Sequence, residues 1–449
     1  MTRDDLETLN QYEEAMAPHV RRLKQRAFTD RLRESLLFVP VLLLIAAVAV
    51  EQALAAVDDA WDAPESTLDL PPDAAIALLS TIAGATITTA GVVFSLLVVT
   101  LQLASAQFSP RVLRTFWRDR YGQVLIGLLL ATFAYSVLAL SQVETSAERA
   151  PTLTLTGALL LAFTSIIAIV GYLNRVTRQQ YVGRIMERIS EEALGLVKQL
   201  PYGPKVGVKV GETTDAPDLS ALGPALVVRA PASGWVQQMS RRAVVAAVPA
   251  GSVVRLETRV GAFLTAGTPL ATIWPRPGRP TAVASALDDA VVLGATRTMQ
   301  QDVDFGLRQL NDITLRALSA AVNDPTTAIE GILRLGTVMR PLLLADLPSQ
   351  TPLCAGGTIL LTPWDLDHME YVRHAFDQLR QYAAGHYQVV LALGRTIRML
   401  RAACAQHGDR DDAIAELDRQ LDLLLDAAAR AGLSLTEVAQ VEAAARPRV

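Results

Sequence analysis

The stretch AAIALLSTIAGATITTAGVVFSLLVVTLQLASAQFSP, residues 74–110, decides the architecture of this chain. It runs 37 residues without an ionisable side chain. A bilayer core of about 30 Å is crossed by about 20 helical residues. The stretch exceeds that, so its helix must tilt or project beyond the hydrocarbon. Working outward, three more runs share its character: 35–50, continued in apolar residues past Glu51 to about Val57, then 121–143 and 150–174. They predict a mainly α integral membrane protein with transmembrane helices at about 35–57, 76–104, 122–143 and 152–174. Pro40 lies near the start of the first, as membrane helices tolerate. No span is read as holding an Asp, Glu, His, Lys or Arg in its interior, which argues against a proton-coupled carrier.

Composition agrees. Of 449 residues 51% are apolar and 19% charged, with mean hydropathy +0.29, oilier than the soluble average of about 25% charged. A net charge of −4 supplies no basic field for nucleic acid. The four lysines are Lys24, Lys198, Lys205 and Lys209. A lysine Schiff base, P-loop lysine or lysine-tethered prosthetic group is therefore excluded beyond residue 209. Two cysteines, Cys354 and Cys404, exclude a zinc ribbon or disulfide framework.

Orientation is read from the flanks. Arg21, Arg22, Lys24, Arg26, Arg31 and Arg33 precede the first span, and the following loop (51–75) has seven carboxylates and no Lys or Arg. Arg111, Arg114, Arg118 and Arg120 follow the second span, only Arg149 the third, and Arg175, Arg178, Arg184 and Arg188 the fourth. The pattern predicts a multi-pass protein of the cytoplasmic (inner) membrane with both termini cytoplasmic. The N-terminal segment 1–34 is too long and charged for a secretory signal.

The remainder reads as a cytoplasmic α+β body. Residues 178–204 predict an amphipathic linker helix stopped by Pro201-Tyr202-Gly203-Pro204. A β-rich module follows at 205–283, with runs Val206–Val210, Ala225–Arg229, Gly234–Met239, Ser252–Thr258 and Leu270–Trp274. Its Ala230–Val236 and Ala262–Trp274 segments resemble half of a small β-barrel-like (barrel-sandwich) domain. Carrier versions hold a prosthetic group on a lysine, which is missing here, leaving a structural barrel, or an adaptor or ligand-gating module. Residues 284–449 predict a helical domain, helical from Leu287 to about Arg340 and again from Leu366, around a Pro/Gly-containing connection at 341–365.

Two polar patterns stand out. In the second span Thr81, Thr88, Ser95, Gln102 and Ser109 recur every seven positions, with Gly84, Gly91 and Ser105 alongside and Val98 interrupting. A seven-residue repeat keeps one seam toward one neighbour. Close packing of small residues explains such a seam, and so does a water-filled path lined by hydroxyls and amide. The exit Gln102-x-x-Ser105-x-Gln107, with Arg111 and Arg114 beyond, is more polar than packing needs. In the body, Asp304, Arg308, Asp312 and Arg316 stand at i,i+4 spacing with alternating sign, predicting a solvated or subunit-facing ion-pair ladder. Val303, Leu307, Leu310, Ala317 and Ala321 form the opposing core face. Asp324 before Pro325 predicts a helix N-cap. In Trp364–His374, the Asp367, Glu370 or Tyr371, and His374 side chains share one helix face. A solvated acidic face explains them better than a metal-ligand set.

STIAGATITTAGVVFSLLVVTLQLASAQFSPRVLRTFWRD (80–119), PASGWVQ (231–237) and TMQQDVDFGLRQLNDITLRALSAAVNDPTTAIEGI (298–332) together resemble the bacterial family of predicted membrane proteins known as domain of unknown function 2254. The likeness extends from the first span to about residue 430. It implies no activity. It does imply two signatures: Gln107, Phe108, Ser109, Pro110 and Arg111, then Gln301, Asp302, Phe305, Asn323, Asp324, Pro325 and Thr326. The expectation is a homo-oligomeric, passive channel-like protein in the lipid bilayer, with the second span lining the path and the body gating it. The alternative is a non-conducting sensor or scaffold whose body binds a ligand or partner. No cofactor, metal or catalytic residue is expected.

Overall fold

The computed structural model describes residues 38–60, 70–107, 120–143, 150–179, 182–200 and 217–446. Two compact units divide it, one within Thr29–Tyr181 and a body within Val182–Val449.

The first unit contains α1 (Phe38–Ala60), α2 (Pro72–Gln107), α3 (Arg120–Gln142) and α4 (Thr152–Gln179). All four contain stretches long and apolar enough to cross a membrane. With 36 residues, α2 measures about 54 Å at 1.5 Å per residue. The hub is α3, which packs against the other three. Its buried face is rich in small residues, among them Gly122, Gly127, Ala131, Thr132, Ser136 and Ala139, and these let neighbouring backbones approach. A Cβ at Gly157 of α4 would stand 2.3 Å from the Tyr135 hydroxyl. Glycine there admits that ring, whose hydroxyl donates to the Thr154 carbonyl at 2.9 Å. The Thr132 and Ser165 hydroxyls meet at 3.0 Å. Asp58 of α1 caps α4, accepting from Leu153 N (2.9 Å), Thr154 N (2.8 Å) and Thr154 Oγ1 (2.7 Å), where the helix dipole favours a carboxylate.

The body runs α5 (Val182–Val197), β1 (Leu226–Arg229), β2 (Gly234–Met239), α6 (Arg241–Ala246), β3 (Val253–Leu256), β4 (Phe263–Leu264), β5 (Pro269–Trp274), α7 (Pro280–Asp289), β6 (Val291–Gly294), α8 (Val303–Ala317), α9 (Pro325–Leu344), β7 (Ile359–Leu361), α10 (His368–Ala383), α11 (Tyr387–His407), α12 (Asp411–Arg430) and α13 (Leu435–Ala445). One sheet has the order β1-β5-β3-β7, the other β4-β2-β6. Strand β7 joins β3 in parallel, with Val253 opposite Ile359 and Arg255 opposite Leu361. Alternation decides facing: β1 buries Leu226 and Val228 and exposes Val227 and Arg229, the period of a half-buried strand. Leu226 and Val228 join Val236, Val254, Leu256, Leu270, Ile273, Leu287 and Leu360 in one core. Beside it, α5 buries Ile185, Met186, Ile189, Ala193 and Val197 and packs on α8 and α9.

Four expected β runs form β1, β2, β3 and β5, whereas Val206–Val210 and the 201–204 turn lie outside the described residues. No closed barrel is found among the described residues, and the barrel-sandwich likeness is not confirmed. The link from β2 to β3 is helix α6 rather than a hairpin, and β2 pairs away to β4 and β6. The helix expected from Leu287 breaks off after Asp289, where α7 ends, and resumes only at Val303. Instead Val291-Val292-Leu293 forms β6, as β-branched residues favour a pleated surface. The connection at 341–365 is also more ordered than its composition implies: α9 continues past Pro341 to Leu344, and β7 follows.

Candidate functional site

The first candidate is the outer stripe of α2. Its opposite face is buried through Ala75, Leu79, Ile82, Ala83, Thr86, Ala90 and Val93, in clusters with Tyr135, Ala139, Leu125 and Leu129. That packing fixes the helix's rotation and turns Thr81, Gly84, Thr88, Gly91, Ser95 and Gln102 outward, all exposed. Among the described residues nothing stands within 4 Å of where a Cβ on Gly84 or Gly91 would be. The Thr81 and Thr88 hydroxyls donate to the carbonyls of Ala77 and Gly84, each at 2.7 Å. Their protons are thus used within the helix, leaving oxygen lone pairs facing out. Ser105 and Gln107 fall in the last turns of α2, while Ser109 and Arg111 lie outside the described residues.

The second candidate is the N-terminus of α8. Asp302 is its N-cap, accepting from Phe305 N at 3.2 Å. Arg297 reaches Asp302 with Nε at 2.6 Å and Nη2 at 3.0 Å, and Asp304 with Nη2 at 2.7 Å. Its guanidinium lies 5.4 Å from the Phe305 ring centroid and 6.0 Å from that of Trp235, within cation–π range. From α10, His374 Nδ1 meets Asp304 Oδ1 at 2.8 Å, and Arg259 Nη2 stands 4.0 Å from Oδ2. Burial works to raise the Asp304 carboxyl. The His374 hydrogen bond and charge, aided by Arg297, outweigh it and hold the group well below the usual carboxylate range. The Tyr371 hydroxyl is pushed up by burial, and the Asp302 and Asp304 charges add to this. Gly261 (φ +82°) closes the sheet side: a Cβ there would stand 2.1 Å from Asp302 Oδ2.

The first rung of the predicted ladder is therefore corrected. Asp304 is buried and pairs with Arg297 and His374 rather than with Arg308, which donates to Gln378 Oε1 at 2.9 Å. Asp312 is half-buried. Ala321 of the expected core face is exposed, because α8 ends at Ala317. Gln301 accepts from Met239 N at 2.9 Å, tying β2 to the start of α8. Asp324 caps α9 by accepting from Thr327 N at 3.0 Å, preceded by Asn323 at φ +47°. Asp367 and Glu370 form a capping box on α10, so they serve the helix rather than a ligand. Among the described residues no group of three metal-ligating side chains gathers. Spacing gave no hint of Arg297, Arg259 or Gly261. The one available signal was a glycine in a turn between β-like runs.

Four membrane-length helices and a separate α/β body define a multi-pass membrane protein. A family model described as "Predicted membrane protein (DUF2254)" matches residues 33–399, and the chain belongs to that family. It is 35% identical over 367 residues to uncharacterized proteins of Mycobacterium bovis and Mycobacterium tuberculosis, covering 80% of this chain and 69% of each relative. No solved structure matches.

Proposed function

We propose that the chain is a homo-oligomeric, channel-like protein of the inner membrane, with both termini cytoplasmic and α2 lining a passive path. The observation that carries this reading is the outward polar stripe Thr81, Thr88, Ser95 and Gln102 with Gly84 and Gly91, which the described residues leave uncovered. Lipid tails offer a Gln amide no hydrogen-bond partner. A ring of sister helices around water does. The outward lone pairs of Thr81 and Thr88 suit water or a desolvating cation. The body is read as the gating module.

Full-length protein in liposomes is expected to pass ions, and Ser95→Leu or Gln102→Leu to change the conductance. Absence of flux in any salt, with the oligomer confirmed, removes the proposal. A second reading, a non-conducting sensor or scaffold, draws support from the Thr hydroxyls, which are satisfied within α2 and so tolerate a dry seam between two copies. It predicts cross-linking through Gly84→Cys and Gly91→Cys without flux.

A further inference from the structure

Helices α9 and α11 share a surface that the described residues leave open. Gly336 brings the two together: a Cβ there would stand 2.8 Å from Thr396 Cγ2 and 3.3 Å from Met399 Cε. Just past the end of α11, Arg410 Nε donates to the Leu343 carbonyl near the end of α9, at 2.9 Å. The two helices therefore run parallel. On the outward side of their seam α9 carries Leu333, Thr337 and Arg340, an i, i+4, i+7 stripe. Beside it α11 carries Arg395, Arg398 and Met399, and all six side chains are exposed. Leu333 keeps 57% of its surface and Met399 38%, which is apolar area at the centre of the seam.

The charge here is of one sign. Among the described residues Arg340, Arg395 and Arg398 have no hydrogen-bond or ion-pair partner. The neighbouring acid, Glu330, is engaged by Arg334 at 3.6 Å. Matching the levels of the two helices puts Arg395 beside Leu333. Arg340 stands about six residues further on, roughly 9 Å at 1.5 Å per residue, with Met399 and Thr337 between. Cations thus flank a short apolar floor. The outward face of α12 is the opposite, with Asp411, Asp412, Asp422 and Asp426 exposed.

We infer that the acidic segment preceding the first span docks on the α9–α11 seam. Residues 4–16, which lie outside the described residues, read DDLETLNQYEEAM: five carboxylates, no Lys or Arg, and Leu6, Leu9 and Met16 among them. Acids interspersed with apolar side chains complement cations around an apolar floor, and the carboxylates of α12 repel the same segment. A single exposed ion pair is weak, but complementary charge arrayed over a surface selects one partner and one orientation. Length permits the contact, because residues 17–37 join the segment to α1 and 21 residues reach up to about 70 Å. Sidedness permits it too. Four crossings return a chain to the side of the bilayer on which it began, so segment and body share one compartment, whichever that is. The inference rests on the four crossings of the proposed topology and not on conduction. The contact is one that salt loosens.

Cysteine cross-linking on the full-length protein in lipid nanodiscs tests this, with a short bismaleimide as the probe. Asn10→Cys with Thr337→Cys is expected to cross-link within one chain, whereas Asn10→Cys with Asp412→Cys, on the acidic face, is not. Cys354 and Cys404 are buried and stay out of reach. Arg340→Glu with Arg395→Glu, at exposed positions that the fold does not use, is expected to slow the first cross-link about fivefold. Adding Glu7→Arg and Glu14→Arg to that chain is expected to restore it. Failure to cross-link at Thr337 in folded protein overturns the inference, as does a rate that charge reversal leaves unchanged. A cross-link formed equally well with the two cysteines on separate, co-expressed chains overturns it as well and assigns the seam to a second copy. Flux is not read, so this contact and the channel reading stand or fall separately.

Discussion

The outer stripe of α2 and the N-terminus of α8 handle polar groups in opposite ways. At α8, Arg297, Asp302, Asp304 and His374 satisfy one another within the fold. A buried network so closed stiffens its surroundings and leaves little for a ligand to take. On α2 the hydroxyls, the amide and the glycine gaps face away from the chain's own core. The closed set reads as architecture, and the open one is the surface on which the proposed oligomer rests. Mutation can break that contrast or sharpen it.

The largest effect is expected at Arg297. Arg297→Ala strands Asp302 and Asp304 in the core, and losing one partner of a buried pair costs about 3–5 kcal/mol. Chemical denaturation of the full-length protein in detergent measures it. A loss under 1 kcal/mol would mean the network is not closed. Next comes Gly261→Ala, which combines a positive φ with a Cβ aimed at Asp302. We expect a loss of about 1–3 kcal/mol in the same assay.

Acid titration separates Asp304 from the rest. Its carboxyl is held below the usual range in the folded state. Its contribution is therefore fully present above the unfolded carboxylate value of about 4 and is lost as pH falls from there through the depressed folded value. Asp304→Asn is expected to be less stable at neutral pH and to show a shallower decline below about pH 4. An unchanged slope would reassign the acid response to other carboxylates.

The smallest effect on chain stability belongs to the stripe. A Cβ at Gly84 or Gly91 meets nothing within 4 Å among the described residues, so with Gly84→Leu or Gly91→Leu each chain should keep its stability within about 0.5 kcal/mol while size-exclusion or native mass spectrometry shows the proposed oligomer disrupted. Losses as large as that of Arg297→Ala would place this face against the chain itself and end the contrast.

Much of this was legible in sequence because its cause is local. The spans announce themselves by uncharged length, and the Asp324-Pro325 cap by residue type and order. The partners of Asp304 were not legible. The i,i+4 spacing pointed to Arg308, whereas the fold chose Arg297 and His374, the latter 70 residues away. Burial favoured that choice, since Asp304 is the second residue of α8 and is buried with Val303 and Leu307. Glu51 was misread for a related reason. Charge alone suggested an exposed boundary, whereas the packed helices bury it completely. The outward direction of the α2 stripe likewise depends on which face the other helices cover.

Strand β7 has a consequence for how the body is made. Its partner β3 precedes it by 106 residues, Val253 to Ile359. On a ribosome adding about 5–20 residues per second, that interval lasts on the order of 5–20 s. Throughout it the emerging β3 presents a bare hydrogen-bonding edge, the kind of surface that recruits foreign strands. Synthesis of α8 and α9 falls within the same window, so the nascent polypeptide must shield that edge, or be shielded by a chaperone, until residue 361 has left the exit tunnel.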